Sequence, residues 1–554
     1  MRRFAALYTA LDGCSGSNAR VEALVSYLSE VDAADAAWAL HVLLGKQGKR
    51  LITGRRLRQI CLEGSPLPEW LFDDCYAQVG DSAETIALLW RQLAPEATQA
   101  PGGSDAAAAP LYSWMEQLLP AAAALEDDAQ ADAVRHLWRG LSPAELLVAN
   151  KLLTGGLRVG VGQGLVLRAL ARLSGLEQAL LQHRLMGGFT PSPFAYGALL
   201  SPADQAAPVP SRPYPFFLAS PLEQQPAGPA SAWQAEWKFD GIRGQLIRRA
   251  NEVYLWSRGE ELIGAAFPEL LQAAGCLANG TVLDGEILVW PSGSDQPAPF
   301  AQLQRRLGRK APGRKLLAEC PTAFVAYDLL ELGGDDLRQR PLSQRRSALE
   351  DLLQDLPETT PTPAAGLLRL SPRLPLETWE ELEPLRQQAA SAAAEGVMLK
   401  ALDSPYLVGR RRGHWWKHKR DPFTLDAVLL YAQAGSGRRA NLFTDYTFGL
   451  WDRQPGPDGD TVQLVSFAKA YSGLDDGEIT ALDRWIRSHT TERFGPVRAV
   501  QPLQVFELAF EGLQRSSRHK SGIAVRFPRI RRWRQDKPAA EADTLVSALE
   551  LLEQ

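Results

Sequence analysis

The sequence predicts a multidomain protein: an all-α N-terminal domain, an α+β centre built on antiparallel sheets, and a small C-terminal β-barrel. Three observations carry this reading. A chain of 554 residues is too long for one hydrophobic core and suggests about three domains. Apolar residues recur at helical spacing up to about residue 205, then in short β-type runs. Between them, residues 200–232 are rich in Pro, Ala and Ser, the composition of a linker that enters a new domain. The expected domain limits are 1–205, 206–422 and 423–554.

In the first domain, Ala- and Leu-rich segments at 18–30, 34–45, 84–95, 113–125, 129–139 and 143–154 carry the helical pattern. Residues 97–110 read as a flexible loop. The glycine-rich stretch from Thr154 to Leu167 resembles a dinucleotide loop only in composition, because a helix and not a strand precedes it. Close helix–backbone packing is the preferred reading. The alternative, in which Arg158 and the glycine amides meet a phosphate backbone, stays open.

In the centre, strands are expected at 233–239, 243–249, 252–256, 281–290, 322–330 and 396–400. Helices at 262–274, 341–354 and 377–393 alternate with them. From about Thr424 the chain turns to β again, with runs at 425–432, 446–452, 461–468 and 503–511 and one helix at 475–489. A small barrel with one helix accounts for that pattern.

Composition narrows the function classes. Hydrophobic content of 45% and charged content of 22% are ordinary for a globular protein. The N-terminus lacks the apolar core of a signal peptide, and no window approaches a membrane-spanning run. Five cysteines lie far apart without a CxxC pair, which argues against a disulfide framework or zinc ribbon and for a reducing cytoplasm. The net charge of −4 does not exclude nucleic acid, since phosphate binding depends on local basic surface.

The chemistry is organised around Glu236-Trp-Lys-Phe-Asp-Gly-Ile-Arg243. A lysine amine is a poor nucleophile while protonated, and burial with neighbouring cations disfavours the charged form. Gly241 leaves space near Lys238, and the planar fork of Arg243 suits a phosphate. Read alone, these residues favour a strand-end lysine pairing with Asp240 in a turn, and it is the downstream segments that reverse this. Downstream, Arg258 stands at a strand–turn junction. Period 2 places Asp284 and Glu286 on one face of an apolar strand, which is costly unless they are paired or bound to a cation or hydroxyl. Tyr327 offers a ring on which a base can stack. Glu395 opens, and Lys400 closes, a further strand, and a carboxylate near phosphates is expected to hold Mg²⁺. The densest signal is Gly409-Arg-Arg-Arg-Gly-His-Trp-Trp-Lys-His-Lys-Arg-Asp421, where a strand would turn Lys417 and Lys419 to one face. A second basic block runs from Arg526 to Lys537.

In this order, Lys238-Phe-Asp-Gly-Ile-Arg, Ser257-Arg-Gly, Asp284-Gly-Glu, Tyr327-Asp-Leu-Leu, Glu395-Gly-Val-Met-Leu-Lys, Trp416-Lys-His-Lys and the C-terminal Arg-Phe-Pro-Arg with Arg-Gln-Asp-Lys resemble the covalent nucleotidyltransferases. Among those they resemble the ATP-dependent DNA ligases, in the larger form with an N-terminal helical DNA-binding domain. Leu152-Leu-Thr-Gly-Gly-Leu-Arg-Val-Gly is similar to a stretch of that domain.

The resemblance implies a helical DNA-binding domain, an adenylation domain and an OB-fold barrel. It further implies a monomer that encircles nicked duplex DNA in replication, repair or recombination, within the cytoplasm and at the nucleoid in a prokaryote. Lys238 would take AMP from ATP, pass it to the 5′-phosphate of a nick, and leave the 3′-hydroxyl to displace it. Glu236 would contact the adenine and Tyr327 would stack on it. Arg243 and Arg258 would hold ribose or phosphate; Glu286 would bind the ribose or act with Glu395 at Mg²⁺. Arg411, Lys417 and Lys419 would grip the α-phosphate. Arg529, Arg534, Asp536 and Lys537 would reach the leaving pyrophosphate, after which the barrel would swing to clamp DNA. Tyr327 stands where Phe is common in the family. The absence of a cysteine cluster argues against the NAD-dependent ligases. A capping guanylyltransferase or RNA ligase would share the lysine motif without the large helical domain, and a DNA-binding scaffold would have lost motif positions that are all present here.

Overall fold

Among the described residues the helical pattern before residue 200 folds as helices and the strand pattern beyond it as strands. The helix expected at 377–393 shortens to a 3₁₀ turn, Trp379–Glu381, and the α-helix Leu382–Gln388. The protein is described here by a computed structural model covering residues 1–14, 16–45, 50–93, 108–157, 159–186, 189–202, 210–307, 309, 311–356, 364–435, 442–453 and 462–553. Arg158 and the linker residues around position 205 lie outside the described residues. The chain divides into two compact units. One comprises Met1–Leu173, Pro191–Gly197 and Pro422–Gln554; the other comprises Ser174–Thr190 and Ala198–Asp421.

The N-terminal part is all helix and turn, from Arg2–Gly13 through Pro143–Thr154 and Gln163–Ser174. Pro143–Thr154 shows how the ends are set. Ser142 and Glu145 form a reciprocal capping box, and Gly155 closes the helix with φ 67°. The segment expected at 113–125 spans Leu111–Ala124 but widens to a π-turn over Trp114–Leu118. Pro120, lacking an N–H, cannot continue the regular ladder there. Helices at Arg2–Gly13, Gly54–Glu63, Glu69–Val79 and Pro193–Leu200 add to those read from the pattern.

The second unit holds two largely antiparallel sheets and a short parallel pair. In chain order its strands are β1 Phe217–Leu218, β2 Ser220–Pro221, β3 Trp233–Phe239, β4 Ile242–Arg249, β5 Glu252–Ser257, β6 Thr281–Val289, β7 Thr322–Leu332, β8 Asp335–Asp336, β9 Leu368–Leu370, β10 Arg373–Leu374, β11 Ala394–Ala401, β12 Gly409–Arg410 and β13 Trp415–Lys419. One sheet runs β10-β3-β11-β13-β2 and the other β5-β4-β6-β7-β8; the parallel pair is β1 with β12. Helices Pro268–Ala274 and Leu342–Gln354 cover the second sheet, packing Leu270, Ala273 and Leu349 against Leu283, Ile287 and Phe324. The helix expected at 262–274 is split into a 3₁₀ turn at Gly264–Ala266 and the α-helix from Pro268. Pro268 drives Phe267 out of the helical region, to φ −134° and ψ 56°.

The C-terminal part adds β14 Phe423–Ala434, β15 Phe443–Trp451, β16 Leu464–Ala470, β17 Thr490–Phe494, β18 Val497–Val500, β19 Val505–Phe510, β20 Gly512–Arg515, β21 Ile523–Arg526 and β22 Arg529–Arg534. A helix, Asp476–Ser488, sits between β16 and β17. The twelve-residue β14 serves three partners: β15 along one edge, with β19 and then β18 along the other. β19 in turn pairs with β22. Among the described residues the outer strands β16 and β22 share no ladder; Ile530 N–H donates to the Ser472 carbonyl at 2.9 Å, just beyond β16. This C-terminal β-domain agrees with the expected β-architecture, and among the described residues its ladders do not by themselves close the expected barrel. No described helix is long and apolar enough to cross a membrane.

Candidate active site

Alternation along β3, β11 and β13 builds the floor of one cavity. Gln234, Glu236 and Lys238 share a face of β3. Register sets Lys400 opposite Gln234 and Met398 opposite Glu236 on β11, then Trp415 opposite Lys400 and Lys417 opposite Met398 on β13. The opposite wall comes from the second sheet, through Arg243 on β4, Glu286 on β6 and Tyr327 on β7. The cavity between the sheets measures about 280 Å³.

Two glycines make this geometry attainable. A β-bulge interrupts the β3–β11 register beside Gly396, whose φ is 152°. A Cβ there would sit 2.2 Å from the His418 carbonyl oxygen. At Gly241 a Cβ would meet the Ile287 carbonyl oxygen at 2.5 Å, so the turn after Lys238 packs directly against β6.

The cavity has a charged end and an apolar end. At the charged end Lys238 Nζ donates to Glu395 Oε2 at 2.5 Å, and Lys419 Nζ lies 3.3 Å from the same oxygen. Lys238 is therefore held by a carboxylate, not isolated among Trp237 and Phe239. Burial opposes ionisation of Glu395, but Lys238 and Lys419 outweigh it and hold the carboxyl below its usual value. Lys417 is lowered, first by burial and then by Arg410, Lys419, Lys238 and Arg258. Glu286 is pushed up to about 8 by burial, which Lys238 and Arg243 only partly offset.

At the apolar end stand Val325, Tyr327, Met398 and Trp415 with one buried carboxylate, Glu236. Glu236 accepts from Lys400 at 3.0 Å and from the Ser371 hydroxyl at 2.7 Å. The Lys400 ammonium lies 4.1 Å from the Tyr327 ring centroid, and burial lowers its pKa.

Most residues singled out from the sequence meet here: Glu236, Lys238, Arg243, Arg258, Glu286, Tyr327, Lys417 and Lys419 line the cavity, and Glu395 bonds to two of them. Two points differ. Arg411 does not line it; Arg410, on the short β12, does. Arg243 is largely committed to protein, donating to Asp284 at 3.2 and 2.7 Å and to the Phe217 carbonyl at 2.7 Å. Asp284 meets the requirement read from the sequence for a buried carboxylate: it pairs with Arg243 and accepts from the Tyr327 and Tyr406 hydroxyls, the latter at 2.5 Å. Among the C-terminal group, Arg529 pairs with Glu511, while Arg534 and Lys537 both reach Asp426 at 3.0 and 2.8 Å. Arg534 also pairs with Asp536, whose carboxyl it lowers to about 2.

Ser371, Lys400, Tyr406 and Arg410 were not among the residues chosen from the sequence. Lys400 is the base that closes the strand Glu395 opens, and it pairs with Glu236. Ser371, an isolated serine, carried no signal.

The set fits a divalent cation in one way. Among the described residues there is no cluster of three His, Cys, Asp or Glu side chains that would hold a metal alone. Mg²⁺, however, commonly takes one or two carboxylates and completes its shell with phosphate oxygens and water. Glu286, a carboxyl that lines the cavity and that burial pushes up, suits that donor set together with Glu395, since a bound cation would favour its charged form.

Comparison with known proteins follows the same division. Residues 218–419 match the model of the ATP dependent DNA ligase domain, residues 1–171 that of the DNA ligase N terminus, and residues 439–537 that of the ATP dependent DNA ligase C terminal region. A probable DNA ligase of Koribacter versatilis (strain Ellin345) is 36% identical over 438 residues, covering 75% of this chain and 73% of its own. A probable DNA ligase of Opitutus terrae (strain DSM 11246 / JCM 15787 / PB90-1) is 34% identical over 82% of this chain, which spans 49% of that relative. The solved structure Pmar-Lig_Pre covers 96% of this chain and 99% of its own at a TM-score of 0.58 and 14% identity, a likeness of fold alone.

Proposed function

Given that this chain belongs to the ATP-dependent DNA ligase family, whose function is nick sealing through an AMP intermediate, we propose that the cavity between its two central sheets performs that chemistry with Lys238 as the nucleophile. The observation that carries the reading is the polarity of the cavity. One end gathers Lys238, Lys417, Lys419, Arg258 and Arg410; the other sets Tyr327, Trp415 and Met398 beside the buried Glu236–Lys400 ion pair. A nucleotide has the same polarity, phosphates at one end and a flat base at the other.

In the first step the Lys238 nitrogen forms a bond to the α-phosphorus of ATP, the bond to pyrophosphate breaks, and the amine loses its proton. Glu395 fixes the amine at the phosphate end before reaction. Lys417, Lys419, Arg258 and Arg410 meet the charge that spreads over the phosphoryl oxygens. Glu286 and Glu395 would hold Mg²⁺, which when bound withdraws charge from those oxygens. AMP then passes to the 5′-phosphate of the nick, and the 3′-hydroxyl displaces it, closing the phosphodiester. Tyr327 supports the adenine, with Glu236 at its edge. Arg243, anchored on Asp284, shapes the wall between base and phosphates.

We assign the leaving pyrophosphate to Arg529, Arg534, Asp536 and Lys537. The three cations among them would exchange Glu511 and Asp426 for phosphate oxygens, with Asp536 orienting Arg534. Nicked duplex DNA is the proposed substrate, encircled by a monomer of three domains at 1–205, 206–422 and 423–554, the last an OB-fold. A reducing, cytoplasmic setting is consistent with five free cysteines. Sealing of a labelled nicked duplex that requires ATP and a divalent cation, and that Lys238→Ala abolishes, supports this reading; sealing that survives Lys238→Ala contradicts it.

A further inference from the structure

Around Glu236 lies a polar cluster that the phosphoryl chemistry does not use. Glu236 is 1% exposed. Its Oε1 accepts from Gln234 Nε2 at 2.5 Å and from Lys400 Nζ at 3.0 Å, and its Oε2 accepts from the Ser371 hydroxyl at 2.7 Å. Arg346, also 1% exposed, donates Nη2 to the Ser371 carbonyl at 2.6 Å and holds Nη1 4.0 Å from Glu236 Oε1.

Stability does not account for this arrangement. Arg346 Nη1 and Gln234 Oε1 are buried and have no hydrogen-bond partner among the described residues. An incompletely satisfied buried network is worse for folding than apolar side chains of similar volume. What the cluster achieves is a fixed carboxylate orientation. A carboxylate has about four lone-pair sites. Three are filled by Gln234, Lys400 and Ser371, each held by its own strand or turn. The site that remains can only accept a hydrogen bond, and Glu236 lines the cavity together with Tyr327 and Met398.

Resting on the nucleotide reading above, we propose that Ser371, Lys400 and Gln234 are positioning residues that make Glu236 the selector of the nucleobase. A ring whose edge offers an amino donor at this point is accepted. A ring that offers a carbonyl there sets two acceptors against each other in a buried site, and is refused. Adenine is of the first kind; hypoxanthine, with a carbonyl in place of the amine, is of the second. Lys400 also lies against Tyr327, so the group that orients the carboxylate fixes the ring that supports the base.

The test is the rate of covalent nucleotide attachment with ATP and with inosine triphosphate, resolved into kcat and KM, for the full-length protein and its variants. The wild type is expected to favour ATP by about a hundredfold or more in kcat/KM. Ser371→Ala raises the KM for ATP with little change in kcat and lowers the ATP-to-inosine-triphosphate ratio about tenfold. Ser371→Thr, which keeps the hydroxyl, restores the ratio. Gln234→Ala lowers it in the same direction, which covers the case of a Lys400→Met variant that fails to fold. Ser371→Ala and Gln234→Ala that both keep the wild-type ratio overturn the inference, as does a wild type that uses both triphosphates equally. A folded wild type that forms no adduct with any triphosphate overturns the nucleotide reading itself, and this inference with it.

Discussion

Lys238 Nζ and Glu395 Oε2 stand 2.5 Å apart across the bulge that Gly396 permits between β3 and β11. The lysine is thereby fixed at the cationic end of the cavity by a group that is itself shared with Lys419. Removing the carboxylate releases the amine and takes away one of two proposed cation ligands. Glu395→Ala should slow formation of the lysyl-nucleotide by about a hundredfold or more in single-turnover measurements. The pair is partly exposed, at 22% and 21% for the two side chains, so the thermal unfolding midpoint should move little.

The same bulge makes a backbone prediction. Gly396→Ala would put a methyl 2.2 Å from the His418 carbonyl oxygen at a φ that L-residues rarely adopt. Relief requires β11 and β13 to separate, which carries Lys417 and Lys419 out of register. The variant should lose adduct formation and several degrees of thermal stability together, measured by labelling and by calorimetry.

Arg243 and Asp284 predict a stability effect distinct from catalysis. Asp284 is fully buried and receives Arg243, Tyr327 and Tyr406. Asp284→Ala leaves a guanidinium enclosed without its counter-charge, a change that costs about 3–5 kcal/mol. Urea unfolding of the variant should show that loss.

How much of this was legible follows from what kind of signal each residue leaves. Lys238, Glu286, Glu395, Lys417 and Lys419 sit in period-2 patterns where charge interrupts apolar strands, and period 2 gives the face directly. The β3 and β6 spans were readable to within a residue for the same reason. The split at Phe267 and the π-turn before Pro120 depend on single proline restrictions that a periodicity window averages away. Arg410 and Arg411 could not be told apart, because the choice depends on a two-residue strand pairing with Phe217–Leu218, nearly two hundred residues earlier. Ser371 has no local pattern; only the β9–β10 turn beside β3 brings it to Glu236.

Lys417 gives a pH dependence. Burial and the neighbouring cations lower its pKa below the ordinary lysine value. Between the lowered and the ordinary value the unfolded chain holds more protons than the folded one, so this group's effect is that stability rises with pH across that window. Affinity for a triphosphate moves the other way: it falls as pH rises through the lowered value, and binding takes up a proton there. Lys417→Arg, charged throughout, should flatten the alkaline fall in ATP affinity. Titration calorimetry in buffers of different ionisation enthalpy measures both.

The central claim is that Lys238 becomes covalently bound to AMP. Purified protein incubated with a divalent cation and ATP labelled at its α-phosphate, then denatured, resolved on a gel and digested, tests it directly. The account predicts label on the peptide that carries Lys238, no label after Lys238→Ala, and transfer of the label to nicked duplex DNA when the adduct is chased. Label on another residue, or an equal yield after Lys238→Ala, would contradict it.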